Sequence, residues 1–224
     1  MPNAQHRFHR WLGVIAVASG LAFAAERATA GAQMEERLAA SVQASLHKSV
    51  ADYPAPRLMF VTPTESDAWL AEMSRRLATK IPDWPTRRDF LVTVQYEASR
   101  AGLDPQLVLG LIQHESNFRK YAVSVVGARG YMQVMPFWVK LIGRAEHDLF
   151  SLRTNLRYGC IILRHYLDQE NGDLFRALGR YNGSLGRPDY PTAVVGAWQR
   201  NWAWNSTRAI ATTTAAGAEK IHLQ

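Results

Sequence analysis

Apolar residues recur at helical spacing through most of the chain, and prolines, glycines and capping residues separate the runs. The pattern predicts a helix from Met34 to about Val50 and another from Ser66 to about Lys80, where Trp69, Leu70, Met73 and Leu77 share a face. Between them, Tyr53 to Thr64 is a proline-containing connection; Leu58 to Val61 is apolar enough for a strand but has no evident partner, and it is assigned to the loop. Pro85-Thr86 opens a third helix through Phe90, Leu91, Val94 and Ala98, which Gly102 closes. Asp104-Pro105 supplies an N-cap and first-turn proline for a fourth. Residues 117–132 contain Gly127 and Gly130 and form either a long loop or a short, irregular β segment. Further helices are expected from Pro136 to about Ile142, from a Thr154-Asn155 cap to the Asn171-Gly172 stop, from Asp173 to about Tyr181, and from Pro191 to about Arg208.

The fourth helix ends on a misplaced charge. Leu107, Leu111 and Glu115 lie on one i, i+4 row, flanked by Val108 and Ile112, so the Glu115 carboxylate continues a line of side chains that faces the core. An apolar wall and the negative end of the helix dipole both favour its protonated form. A carboxylic acid that keeps its proton near neutral pH is what cleavage of an acetal bond requires.

Composition adjusts this picture at the ends of the chain. His6, Arg7 and Arg10 precede an uncharged apolar run from Trp11 to Ala25, and Ala28-Thr29-Ala30 is a small-x-small site, so residues 1–30 read as a signal peptide cut after Ala30, or alternatively after Ala24. The run is short for a membrane span, although an uncleaved anchor is the alternative. Without these residues the chain keeps 23 basic and 18 acidic residues, a net charge of about +5 with histidine neutral. That suits a polyanionic partner such as a cell wall or an acidic membrane surface, and no dense Lys/Arg stripe points to nucleic acid. Cys160 is the single cysteine and sits among apolar neighbours, which excludes an internal disulfide and predicts a buried thiol. Residues 31–80 read as an N-terminal helical extension, 81–209 as the main domain, and 210–224 as an Ala- and Thr-rich tail expected to be disordered.

From Leu107 to Pro136 the chain carries Glu115-Ser116, Phe118, Ser124, Gly127-Ala128, Gly130, Met132-Gln133 and Met135-Pro136, followed in order by Asn155, Gly159 and Tyr181-Asn182. This series resembles the lytic transglycosylases and goose-type lysozymes that cleave peptidoglycan. The resemblance implies a mainly α, lysozyme-like (α+β) single domain with a short irregular β element beside a cleft. It further implies that Glu115 is the catalytic acid, that Ser124 donates to an acetamido group, that Met135 lines the cleft, that Tyr181 approaches the reacting centre and that Asn182 orients substrate. Gln133 can donate to and accept from N-acetyl and hydroxyl groups, or it is a solvated loop amide. Three positions depart from the pattern: Val125 where proline is common, Tyr131 for leucine, and Gly183-Ser184-Leu185-Gly186 in place of Ala-Gly-Pro-Gly.

Asp148, Asp168, Asp173 and Asp189 each have a capping or connecting role available, so none has a motif that marks a second catalytic carboxylate. The expected activity is therefore non-hydrolytic cleavage of the N-acetylmuramic acid–N-acetylglucosamine bond to 1,6-anhydro ends, with Glu115 as acid and then base. A hydrolytic muramidase and a non-catalytic peptidoglycan-binding protein are the alternatives. No metal cluster or nucleotide loop is apparent, so no cofactor is expected. The expected partners are peptidoglycan glycan strands, with an envelope-machine protein as a further candidate, in the periplasm or outside the cell. Trp198 and Trp202 share an i, i+4 face and read as packing residues, and the arginines from Arg144 to Arg164 as a solvated helix face.

Overall fold

The computed structural model describes residues 33–51 and 55–205; the expected signal peptide and the 210–224 tail lie outside the described residues. Eight α-helices follow one another among them: α1 Ala40–Val50, α2 Pro63–Leu77, α3 Trp84–Arg100, α4 Pro105–Ser116, α5 Phe137–Ile142, α6 Leu152–Gln169, α7 Leu174–Asn182 and α8 Asp189–Ala197. A single π-helical turn, Trp198–Trp202, continues α8. None of these helices is long and apolar enough to cross a membrane.

The helix α4 is the centre. Every residue from Leu107 to Ile112 is buried, so α4 is apolar on all sides rather than along one stripe, as a helix enclosed by others must be. It packs against α3, α8 and the π turn, while α6 lies between α3 and α7. The π turn replaces the last part of the helix expected to run to Arg208. It brings Asn201 Nδ2 and Trp202 Nε1 onto the same acceptor, Gln113 Oε1 on α4, at 3.1 and 2.7 Å.

Local capping explains most boundaries. Thr62, Asp83, Asp104 and Asp173 accept a backbone N–H through their side chains at the starts of α2, α3, α4 and α7, as expected for Asp104. At three starts the structure differs from expectation by about three residues or more, and α2 opens at Pro63 where Ser66 was expected. The first helix begins at Ala40, not Met34, and residues 33–39 have no regular secondary structure. The helix α6 begins at Leu152 after Ser151, and Asn155, expected as its cap, lies inside its first turn with its amide directed elsewhere.

The expected α+β organisation is corrected by the structure. No β-strand forms among the described residues; the segment after α4 is held by two isolated antiparallel bridges, Val123 with Arg129 and Arg129 with Val134. Its backbone enters the left-handed region at Gly127, Gly130 and Gln133, with φ of 88°, 75° and 49°, so the chain turns before any ladder can lengthen. The fold class is all-helical.

Charge pairing fastens α1 to this body. Glu97 on α3 is buried with Arg100, Arg153 and Arg157 around it at 3.6, 3.4 and 3.3 Å, so Arg157 belongs to the interior and not to a solvated face. Arg157 also donates to the carbonyls of Val50 and Ala51, and Arg100 to that of Ser49. These guanidinium groups satisfy the last carbonyls of α1, where a helix presents its negative end.

Candidate active site

Asp104 accepts the Gln106 N–H at 2.7 Å to start α4, and Asn117, left-handed at φ 49°, closes it by donating to the Gln113 carbonyl. Glu115 therefore stands in the last turn, 8% exposed. Burial raises its pKa from 4.5 to about 8, and a hydrogen bond from the Tyr190 hydroxyl to Glu115 Oε1 pulls the other way. The other buried glutamates differ in kind: Glu97 is paired with arginines, and Glu170 is held by Arg176 and Arg180. Glu115 meets a phenol instead, so no cation among the described residues holds it ionised.

Tyr190 is the residue that sequence reasoning missed. It opens α8 and is buried on the face of that helix that carries Val194 and Ala197, with the His114 ring set edge-on at 5.0 Å. A phenol on a buried row needs a hydrogen-bond partner, and that requirement is the one signal the sequence held. Burial pushes its pKa, and that of Tyr181, well above the usual range, and the Glu115 charge acts on both.

The second half of the site is the turn from Ala122 to Met135, which α6 holds in place. Asn155 accepts the Met132 N–H at 2.8 Å and donates to the carbonyls of Arg129 and Leu149, each at 2.8 Å. Gly130 and Gly159 allow the approach: a Cβ on Gly130 would sit 2.6 Å from the Leu149 carbonyl, and one on Gly159 2.7 Å from Met132 Cβ. Tyr181 on α7 donates to the Met132 carbonyl at 2.8 Å. Thus α6 and α7 fix the same residue from two sides.

The remaining expected residues divide into two groups. Gln133 is buried, and its Nε2 donates to the carbonyls of Ala122 and Gly130 at 3.1 and 3.0 Å. What it presents outward is its main-chain carbonyl, which accepts from Gln33 Nε2 at 3.3 Å, while the half-buried Met135 donates its main-chain N–H to Gln33 Oε1 at 3.1 Å. The structure thus joins Gln133, Met135 and Tyr181 in one wall. Ser124 and Asn182 are engaged locally: Ser124 Oγ accepts from the Ala128 N–H at 3.0 Å, and Asn182 Nδ2 donates to Ser184 Oγ at 3.0 Å. Asp148, Asp168 and Asp173 are bonded to the Phe150 N–H, Arg164 and the Arg176 N–H in turn, and Asp189 is exposed at the start of α8. Two cavities, of about 510 Å³ between α1 and α6 and about 590 Å³ between α2 and the π turn, are not lined by Glu115.

Fold and site together define an all-helical domain built around one buried acid that a tyrosine, not a cation, attends. Residues 93–196 match the family described as the Transglycosylase SLT domain. A transglycosylase of Enterobacteria phage PRD1 is 34% identical over 98 residues, 44% of this chain and 36% of that protein. Membrane-bound lytic murein transglycosylase C of Mannheimia succiniciproducens is 39% identical over 66 residues, 30% of this chain and 17% of the relative. The chain thus spans about a third or less of the length of these relatives. The lytic transglycosylase Slt of Pseudomonas aeruginosa, solved as an inactive mutant, aligns with 70% of this chain and 37% of its own at 18% identity and a TM-score of 0.40.

Proposed function

We infer that this chain is a peptidoglycan lytic transglycosylase that cleaves the β-1,4 bond between N-acetylmuramic acid and N-acetylglucosamine without consuming water. The observation that carries the reading is Glu115 itself, a buried carboxyl that holds its proton up to about pH 8. The match to the SLT domain and the names of the relatives support the substrate. Residues 81–209 form the catalytic domain in this reading, and residues 31–80 the extension.

Glu115 protonates the bridging oxygen, and the departing sugar leaves oxocarbenium character on the muramoyl carbon. Tyr181 and the acetamido group of that sugar stabilise the charge. The ionised Glu115, now steadied by the Tyr190 hydroxyl, accepts the proton of the same sugar's C6 hydroxyl as its oxygen closes on C1, giving a 1,6-anhydro ring. The internal hydroxyl needs no separate nucleophile because its effective concentration is high. Ser124 and Asn182 bind substrate at the rim, and Gln133 and Met135 along the wall. The protein works on glycan strands on the exported side of the cell envelope, where an envelope-spanning machine is a fitting protein partner.

Digestion of purified peptidoglycan, read by mass spectrometry, tests this. The unaltered protein releases anhydro-muropeptides, and Glu115→Gln lowers the rate by about 100-fold or more, the usual contribution of a positioned acid. Reducing-end products would instead indicate a hydrolytic muramidase, and anhydro products from Glu115→Gln at the normal rate would remove Glu115 from the chemistry.

A further inference from the structure

We propose that the Gln133 carbonyl and the Met135 N–H form a carboxamide-binding site, that Gln33 fills it in the resting chain, and that an acetamido group of the glycan must displace Gln33 to enter. Gln33 is 2% exposed, whereas its neighbour Met34 is 65% exposed. A polar side chain buried from an otherwise exposed segment must be held by hydrogen bonds. Its Nε2 donates to the Gln133 carbonyl at 3.3 Å, and its Oε1 accepts from the Met135 N–H at 3.1 Å.

These partners suit an acetamido group for a chemical reason. A primary carboxamide and an N-acetyl group both present an N–H donor and a carbonyl acceptor on one planar unit. Three residues after Gln33, Glu36 anchors the segment outside the wall. Its carboxylate pairs with Arg180 on α7 at 3.1 Å and accepts from Gln169 on α6 at 3.5 Å. The segment then joins α1, which the arginines around Glu97 hold to the body, so Gln33 is tethered close to the site and returns after each departure. A tethered occupant lowers the apparent affinity of its competitor by the fraction of time the site is open.

The identity of the competitor rests on the transglycosylase reading, but the occupancy does not. In the full chain, amide exchange measured by NMR at Met135 reports directly on the hydrogen bond to Gln33. We expect protection in the unaltered protein, exchange about tenfold faster in Gln33→Ala as the open fraction rises, and protection regained in that variant on adding N-acetylchitotetraose. Equal exchange in the two proteins overturns the occupancy, and failure of the oligosaccharide to restore protection overturns the acetamido assignment. On peptidoglycan, Gln33→Ala lowers KM about tenfold with kcat unchanged; an unchanged KM with normal turnover counts against displacement. If neither protein yields anhydro products, the transglycosylase reading fails, while the exchange measurement still decides whether Gln33 occupies the site.

Discussion

A buried carboxyl without a cation ties activity and stability to the same proton. In the proposed reaction Glu115 must carry that proton to act as an acid, so kcat/KM on peptidoglycan is expected to fall as pH rises through about 8. Stability follows in the same direction. Below the unfolded value of 4.5 both states are protonated; between 4.5 and about 8 the unfolded chain is ionised while the folded one is not, so folding free energy is lost as pH rises. Thermal unfolding of the unaltered protein and of Glu115→Gln at pH 5 and pH 8 should show the former losing ground only at the higher pH. Tyr190→Phe removes the group that favours the ionised form, so the alkaline limb of its pH profile moves upward and its maximal rate drops by about tenfold or more. Glu115 was legible because it extends a row begun by Leu107 and Leu111. Tyr190 was not, because 75 residues separate the two and only the packing of α8 on α4 joins them.

At the level of elements, the site depends on a turn that has little structure of its own. Asn155, Gly159 and Tyr181 hold Met132 in place from α6 and α7. Gly159→Ala should therefore destabilise by about 2 kcal/mol through overpacking, with the unfolding transition as the measure. If the clash with Met132 is the cause, the double substitution with Met132→Ala costs less than the sum of the two single ones. The helices of this region were readable from their punctuation: Asp104-Pro105, Asn171-Gly172 and Asp173 all stand at observed helix ends. The turn was not. Gln133 adopts a left-handed backbone that its residue type does not advertise, and Asn155 looks like a helix cap while its amide reaches into the turn. The same limit produced the expectation of a β element where two isolated bridges stand.

The whole molecule is organised by a buried charge cluster as much as by its apolar centre. Removing one partner from such a cluster is costlier than removing the cluster, so Glu97→Gln should destabilise by about 3 kcal/mol or more. The loss should spread to α1, whose final carbonyls Arg157 and Arg100 hold, and faster amide exchange from Ala40 to Val50 is the measurement. In sequence Arg153 and Arg157 looked like part of a solvated face because charge pairing over 56 and 60 positions leaves no local pattern. The non-helical course of residues 33–39 was hidden for the same reason, since Gln33 bonds a wall about 100 positions away. That wall has a consequence for inhibitor chemistry. It offers one carbonyl and one N–H, both from the main chain, to a flat amide, so a small primary amide placed there would be recognised by atoms that no substitution other than proline at Met135 deletes, which narrows the routes to resistance.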